Sequence, residues 1–172
     1  MRTPDPWDAV FMRMAHALAA RSKDPSSQFG AVIVGPGNRV LGVGFNGPPP
    51  QLVDESVPWE ERPAKYAFIV HAEENAILDA LDKNAAERLA GSTLYVTGFP
   101  CPGCVLRSIR AGVELVVWDR AGRVAVCVDE AAKVTVARLV ATVKPGRRFA
   151  VMPNDMAPDA GPVASRFHQE GR

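Results

Sequence analysis

The sequence predicts a three-layer α/β/α fold, with helices on both faces of a central mixed sheet of about five strands. Two observations support this prediction. Two short apolar runs, joined by a segment of Gly, Pro and Asn, are typical of a β-hairpin. Farther along, a strand, a helix and a second strand follow one another at a spacing that indicates a parallel pair with a right-handed crossover. A chain of 172 residues is long enough for one such domain.

The individual elements follow from boundary residues and apolar spacing. A first helix is expected to run to about Arg21, because Asp5 can cap its N-terminus and Pro6 suits its first turn. The stretch Asp129–Ala141 is ambiguous, because valine and threonine weaken a helix prediction. The other expected elements are hairpin strands at Phe29–Val34 and Val40–Phe45, a long loop from Asn46 to about Pro63, a helix at His71–Leu81, strands at Thr93–Gly98 and Val113–Trp118, a helix at Pro102–Ala111 stopped by Gly112, and a further strand at Arg123–Val128.

Composition limits the classes of partner. Twenty Lys and Arg residues nearly balance 19 Asp and Glu residues, for a net charge of +1. A protein that binds a nucleic-acid polymer usually has a strong basic excess, so a small-molecule substrate is expected instead. No apolar run is long enough to span a membrane, and no leader opens the chain. Three cysteines form no disulfide framework, which favours a cytoplasmic protein with no membrane partner.

The domain prediction follows from the same survey. Residues 1–151 are expected to form one catalytic domain. Residues 152–172, rich in Pro, Gly, Ala and Asp, are expected to form a loose C-terminal tail.

Two short motifs indicate a metal site. His71-Ala72-Glu73 is followed by Pro100-Cys101-Pro102-Gly103-Cys104, a pairing that resembles the H-x-E and P-C-x-x-C signature of zinc deaminases. Catalytic zinc takes three protein ligands and keeps one position open for water, and His71, Cys101 and Cys104 supply three. Both predicted helices begin at these ligands, so their positive ends favour thiolates. We expect one Zn²⁺ per chain.

Glu73 is the expected catalytic residue. It lies two residues after His71, on the first turn of the same predicted helix, where a carboxylate can move protons to and from the water that zinc activates. A structural zinc site needs a fourth protein ligand, for which His16, Cys127 and His168 remain. A redox pair of Cys101 and Cys104 leaves His71-Ala72-Glu73 without a role.

A finer resemblance is to the deoxycytidylate (dCMP) deaminase family, within the cytidine-deaminase-like superfamily. The stretches that carry this resemblance are Phe11–Ala15 leading into Arg21–Gln28, Gly42–Pro48, Lys65–Glu73 with Asn75–Ile77, and Phe99–Cys104. The first two of these stretches lie outside the zinc motif, which makes the resemblance more specific.

The resemblance implies conversion of dCMP to dUMP and ammonia, by attack of zinc-activated water on cytosine C4 with Glu73 as proton carrier. It also implies substrate-binding roles for Asn46, Ala72 and the segment from Arg21 to Gln28. In that segment Arg21, Ser22, Lys23 and Ser27 offer the cations and hydroxyls that a 5′-phosphate needs. From the residues alone, a solvated connector is the favoured interpretation of the segment.

The sequence departs from the family pattern in places. After Trp118 the family often has Asp-x-Tyr, with the tyrosine beside the base, but this chain reads Asp119-Arg120-Ala121-Gly122. A 5-substituted dCMP is therefore an alternative substrate. Glu74 replaces the usual Leu or Met, and either tunes the site or faces solvent.

Assembly and regulation are implied only by the resemblance. Many family members are hexamers that dCTP activates and dTTP inhibits, so a homo-oligomer is expected, and the loop from Asn46 to Pro63 is a candidate regulatory segment. Other deaminases (of nucleosides, nucleobases or tRNA adenosine) and a non-catalytic zinc-binding regulatory subunit are the competing interpretations.

Overall fold

The computed structural model describes residues 3–83, 85–120 and 129–154. Short 3₁₀ turns at Asp54–Ser56, Ala64–Ala67 and Ala86–Arg88 join some of the longer elements. In chain order the helices and strands are α1 (Trp7–Ala19), β1 (Gly30–Gly35), β2 (Arg39–Phe45), α2 (Ala72–Asp82), β3 (Ser92–Val96), α3 (Pro102–Ala111), β4 (Val113–Asp119), α4 (Glu130–Ala141) and β5 (Ala150–Asn154).

The five strands form one mixed sheet in the order β2-β1-β3-β4-β5. Strand β1 is antiparallel to both β2 and β3, while β3 with β4 and β4 with β5 are parallel pairs. The predicted hairpin and the predicted strand–helix–strand crossover are both confirmed. Because β3 and β4 run in the same direction, their carboxyl ends lie at one edge of the sheet.

Helices cover both faces of the sheet, which confirms the three-layer prediction. Alternating side chains of β1 divide between the faces, with Val32 towards α1 and Ile33 towards α2. Helix α3 packs against α2, and α4 packs against α3. The α1 face buries Phe11, Met12, Ala15, Val32, Val34, Tyr95 and Val117. The α2 face buries, among others, Ala72, Ala76, Ala80, Ile33, Leu94, Val96 and Val116.

Glycines in β2 allow α2 to approach the sheet at main-chain distance. A Cβ atom at Gly44 would lie 2.3 Å from the carbonyl oxygen of Ala72, and one at Gly42 would lie 2.1 Å from that of Ala76. These distances are far below a van der Waals contact, so the close fit requires residues without side chains. The first turn of α2, which follows His71, is thereby held directly over the strand.

Several boundary predictions are corrected. Pro6, not Asp5, occupies the N-cap position of α1, and Asp5 instead accepts a hydrogen bond from Arg13 at 2.8 Å. The stretch Asp129–Ala141, which was ambiguous in the sequence, contains helix α4. Asp129 caps the N-terminus of this helix by accepting a hydrogen bond from the Ala131 amide. Strand β5 was not predicted.

Strand β5 continues to Asn154, three residues beyond the predicted end of the domain at residue 151. The rest of the predicted tail, residues 155–172, lies outside the described residues, as does the predicted strand Arg123–Val128. No helix among the described residues has the length and apolar character needed to cross a membrane.

Candidate metal centre

The three predicted metal ligands come together where two helices begin. His71 is the N-cap residue of α2, and Cys101 is the N-cap residue of α3. Cys104 lies in the first turn of α3, three residues after Cys101. Their candidate donor atoms, one from each side chain, all lie within 4.8 Å of one another. Residues thirty positions apart in the chain therefore form one group because α2 and α3 pack side by side with their N-termini at the same edge of the sheet.

The distances within this group fit zinc. His71 Nδ1 lies 3.6 Å from Cys101 Sγ and 3.4 Å from Cys104 Sγ. A tetrahedral zinc ion with ordinary Zn–S and Zn–N bond lengths separates its nitrogen and sulfur ligands by about 3.6 Å. Both thiols are free of disulfides, and within the described part of the chain three donors leave the fourth tetrahedral position open. The donor set therefore matches a catalytic zinc site more closely than a structural one.

The electrostatics of the group favour a bound cation. Hydrogen bonds from the Cys104 thiol, from His71 and from the Cys104 backbone N–H lower the pKa of the Cys101 thiol to about 3, although burial opposes this. The hydrogen bond to Cys101, burial and the charge of Glu73 together raise the pKa of Cys104. The hydrogen bond to Cys101 also raises the pKa of His71, against the effect of burial. The three donors thus share protons that a metal ion displaces on binding.

Glu73 is placed beside the donors without joining them. Its side chain is 5% exposed, on the first turn of α2, and it interacts with the Cys104 thiol. Burial raises the pKa of the Glu73 carboxyl, although charge and hydrogen bonding from His71 and Cys104 oppose the rise. A carboxyl group whose pKa is raised by burial is suited to acid–base catalysis.

Glu74, which departs from the family pattern, is not one of the donors, although its charge contributes to raising the pKa of His71. It forms an ion pair with Arg107 Nε at 3.1 Å, and so joins α2 to α3 on their partly exposed side. The remaining histidine of the described residues, His16, lies on α1 and bonds Asp119 at 2.7 Å. His16 therefore supplies no fourth ligand. Cys127 and His168 lie outside the described residues.

Residues 21–28, for which the sequence predicts a role in substrate binding and which we therefore call the substrate loop, are held against the end of β2 by Asn46. The buried Asn46 side chain accepts from the Phe29 amide at 2.7 Å and donates to the Ser27 carbonyl at 2.9 Å. The Ser22 hydroxyl donates to the Asn46 carbonyl at 2.8 Å. Of the predicted substrate-binding residues, the structure thus brings Asn46, Ser22 and Ser27 together. Ala72 is fully buried between His71 and Glu73.

The two cations of the substrate loop line a cavity of about 370 Å³. Arg21 and Lys23 face it, and Lys23 also forms an ion pair with Asp54 from the 46–63 loop. Phe45 and Asn75 complete the part of its wall that lies nearest α2. None of the three metal donors is among the described residues that line this cavity.

Two features of the site had no clear signal in the sequence. Lys65 and Asp24 form a fully buried ion pair, described below, although both residue types are usually exposed. Near Cys101, the rings of Phe99 and Trp118 meet edge to face with centroids 5.2 Å apart. Both aromatic residues lie in segments that the sequence marks as motif or strand, but only the fold places them in contact.

The family model of the cytidine and deoxycytidylate deaminase zinc-binding region matches residues 5–119. The chain belongs to this family. Zinc is therefore the metal that His71, Cys101 and Cys104 are suited to hold.

Relatives and solved structures extend this result. Mouse deoxycytidylate deaminase is 41% identical over 117 residues, and the human protein is 39% identical over the same length. Each of these alignments covers 65% of the chain, and the chain spans only 64% of either relative. The deoxycytidylate deaminase of Mycobacterium phage D29 is 38% identical over 132 residues, covering 70% of the chain and 98% of the phage protein.

The fold itself matches that of a dCMP deaminase from cyanophage S-TIM5, solved in complex with dCMP and dUMP. The TM-score is 0.60 at 23% identity, and the alignment covers 88% of this chain and 100% of the phage chain. At this level of identity the likeness establishes the cytidine-deaminase-like fold.

Proposed function

We propose that the protein catalyses the hydrolytic deamination of dCMP to dUMP and ammonia. The observation that carries this proposal is the buried Glu73 carboxyl beside the His71, Cys101 and Cys104 donors, since a structural zinc site has no use for it. The relative from phage D29, which the chain covers almost completely, is a deoxycytidylate deaminase and supports the same substrate.

The chemistry divides between the metal and the protein. When bound, zinc would supply the Lewis-acid activation that makes water a nucleophile near neutral pH. Glu73 takes a proton from the water that attacks C4 and delivers it to N3 of the ring. The C4–O bond forms in this first step. Glu73 then carries the second water proton to the amine, the C4–N bond breaks, and ammonia leaves. Burial of Glu73 favours this role, because it raises the pKa of the carboxyl.

For substrate binding, we propose that the 5′-phosphate meets the substrate loop, with Arg21, Ser22, Lys23 and Ser27 as its partners. The anchoring of this loop by Asn46 supports the proposal, because a loop that is already fixed has a small ordering cost when it binds a phosphate. Lys23 must then exchange Asp54 for phosphate. Ala72 contributes its main chain, at the start of α2.

The first experiment measures ammonia release by the zinc-loaded protein from dCMP, 5-methyl-dCMP, CMP, deoxycytidine and dAMP in parallel. We expect turnover of dCMP. Turnover of 5-methyl-dCMP as well would extend the substrate range to 5-substituted nucleotides. Turnover of dAMP or deoxycytidine in preference to dCMP would contradict the proposal, and no turnover of any compound would favour a regulatory zinc protein.

A matched pair of variants tests Glu73. In Glu73→Gln we expect zinc content to stay at one per chain while turnover falls by a factor of about 10² or more, the size of a lost acid–base catalyst. Glu74→Gln changes the neighbouring carboxylate in the same way and should keep most of the activity. Equal losses in the two variants would mean that Glu73 is not the proton carrier.

We further propose a homo-oligomer, of which a hexamer is one option. Leu78 and Leu81 on α2 and Leu106 on α3 are each more than 40% exposed, on helices that pack side by side. Exposed apolar residues grouped on neighbouring helices are typical of surfaces that self-associate. Analytical ultracentrifugation decides the matter, and a monomer at micromolar concentration would refute it.

The cavity lined by Arg21 and Lys23 is our candidate site for regulation by dCTP or dTTP. Its cations suit a nucleotide phosphate, and because both Arg21 and Lys23 belong to the substrate loop, binding here would act on substrate binding through that loop. We expect dCTP to raise and dTTP to lower the rate of dCMP turnover. Rates unchanged by either nucleotide would refute the regulatory proposal and leave the catalytic one intact.

Free thiols at Cys101 and Cys104 suit a reducing, cytoplasmic location.

A further inference from the structure

Lys65 is a fully buried lysine with no place in the chemistry above. It lies on the short 3₁₀ turn Ala64–Ala67, and its side chain is 1% exposed. Its ammonium group donates to Asp24 Oδ1 and to Ser26 Oγ, each at 2.9 Å. Removing an ammonium group from water is costly unless it is paired, so a buried lysine with two partners in one loop indicates a specific role.

Asp24 is the centre of the substrate loop and is itself only 4% exposed. The oxygen atom that binds Lys65 also accepts the backbone N–H groups of Ser26 at 2.8 Å and of Ser27 at 3.2 Å. Burial acts to raise the pKa of Asp24, but the hydrogen bonds from Lys65 and these two amides outweigh it and hold the pKa below its usual range. The carboxylate therefore stays charged and folds the loop around itself.

The substrate loop is thus held from two sides, and the two anchors are joined. Asn46 holds one side, as described above, and Lys65 holds the other. The residue after Asn46, Gly47, forms a two-bond bridge to Val70, with N–O distances of 2.9 and 3.1 Å. Val70 directly precedes His71, one of the candidate metal ligands. The loop is therefore fixed relative to the metal centre through a frame of short main-chain links.

Lys65 also changes the net charge around the substrate loop. The substrate loop carries two cations, Arg21 and Lys23, and one anion, Asp24. With Lys65 the group has a net charge of +2, and without Lys65 a charge of +1 with an unneutralised buried carboxylate. Such a carboxylate would repel a phosphate bound to the same loop.

We propose that Lys65 is a positioning residue for nucleotide binding: it fixes the substrate loop through Asp24 and Ser26, and neutralises the one anion of that loop. This inference rests on the proposed nucleotide deaminase function. Lys65 touches neither the metal donors nor the reacting atoms. Its effect should therefore appear in nucleotide binding rather than in the chemical step.

The test compares Lys65→Met with Lys133→Met in the full-length, zinc-loaded protein. Lys133 forms an exposed ion pair with Glu130 on α4, a helix that packs against α3, and controls for the loss of a lysine. For Lys65→Met we expect the KM for dCMP to rise roughly ten- to a hundredfold, the size of a lost charge-assisted interaction, with a much smaller change in kcat. Lys133→Met should match the wild type in both constants.

Hydrogen exchange on the ligand-free protein provides a readout that does not need turnover. The amides of Ser26 and Ser27 should exchange faster in Lys65→Met, because their acceptor Asp24 loses its partner, while the amides of α2 keep their protection. If wild-type protein has no activity on dCMP, the proposed function fails. The exchange rates still decide whether Lys65 holds the loop. Unchanged exchange at both amides would overturn the inference.

The double variant Asp24→Asn/Lys65→Met removes both charges and separates charge matching from general stability. Because no unpaired carboxylate remains, its KM for dCMP should lie closer to that of the wild type than the KM of Lys65→Met does. A double variant with the same or a higher KM would overturn the neutralising role. Failure of both variants to fold would show that Lys65 supports the whole fold, and would overturn the proposal of a positioning residue.

Discussion

The close contact between β2 and α2 predicts a strong effect of Gly44→Ala. The new Cβ atom would lie 2.3 Å from the Ala72 carbonyl oxygen and 2.5 Å from the Ala76 nitrogen, whereas real Cβ contacts almost never fall below 3.0 Å. The strand and helix must therefore separate by about 0.7 Å or more. Ala72 lies between His71 and Glu73, so the same shift moves a metal donor and the proton carrier together.

The magnitude follows from this displacement. Overpacking of this kind costs about 1–3 kcal/mol of stability. A misplacement of about 1 Å at a catalytic group costs on the order of 10² in rate, so we expect kcat/KM for dCMP to fall by about that factor. Zinc affinity should also fall, because His71 moves relative to Cys101 and Cys104.

The assay combines urea unfolding, zinc titration against a chelator and steady-state kinetics at a temperature where the variant is folded. Gly30→Ala is the matched control: its Cβ would lie 1.9 Å from the Ala15 carbonyl oxygen, on α1 and the opposite face. We expect Gly30→Ala to lose stability but to keep wild-type zinc affinity. If folded Gly44→Ala binds zinc as tightly as the wild type and turns over dCMP as fast, the proposed control of the site by helix position is wrong.

Three further predictions follow from the site. Cys104→Ala should lose stoichiometric zinc, because only two donors remain, and metal analysis of the purified variant checks this; a full complement of zinc would mean a different ligand set. Asn46→Ala should lose about 1–3 kcal/mol of unfolding free energy in urea, because the Ser27 carbonyl and Phe29 amide lose buried partners, and an unchanged midpoint would contradict that role. For Asp24, the folded-state pKa lies below the ordinary 3.8, so the native protein binds fewer protons than the unfolded chain near that pH. The stability that this carboxylate contributes is therefore complete at neutral pH and is lost as the pH falls below about 4. The stability difference between metal-free wild type and metal-free Asp24→Asn should narrow over that range, and a constant difference would refute the ion pair's contribution.

Elements with local signals at both ends were predicted well. Helix α3 has the predicted bounds, because Pro102 fits its first position and Gly112 adopts the left-handed conformation, with φ +95°, that ends it. The Asp5 cap failed because Arg13, eight residues away, competes for its carboxylate. Strand β5 escaped prediction because it is defined by pairing with β4, a contact between distant segments.

The residues of the candidate site also differ in whether a local sequence pattern could predict them. The sequence was enough to predict the metal ligands and Glu73, because zinc chemistry demands particular residue types at short spacings, and the structure brings these residues together. Lys65 could not be identified, because a lysine in a polar stretch is expected in solvent. Its burial depends on how residues 46–71 fold back over the substrate loop.

The sequence by itself determined the family and predicted the zinc ligands and the proton carrier, since each prediction depends on chemistry encoded within a few neighbouring residues. Only the tertiary structure decided how the substrate loop, Asn46 and Lys65 assemble, and that Arg21 and Lys23 line one cavity. The physical reason is that ion pairs and buried hydrogen bonds between distant segments depend on distance and burial. Both are set by how helices pack on the sheet.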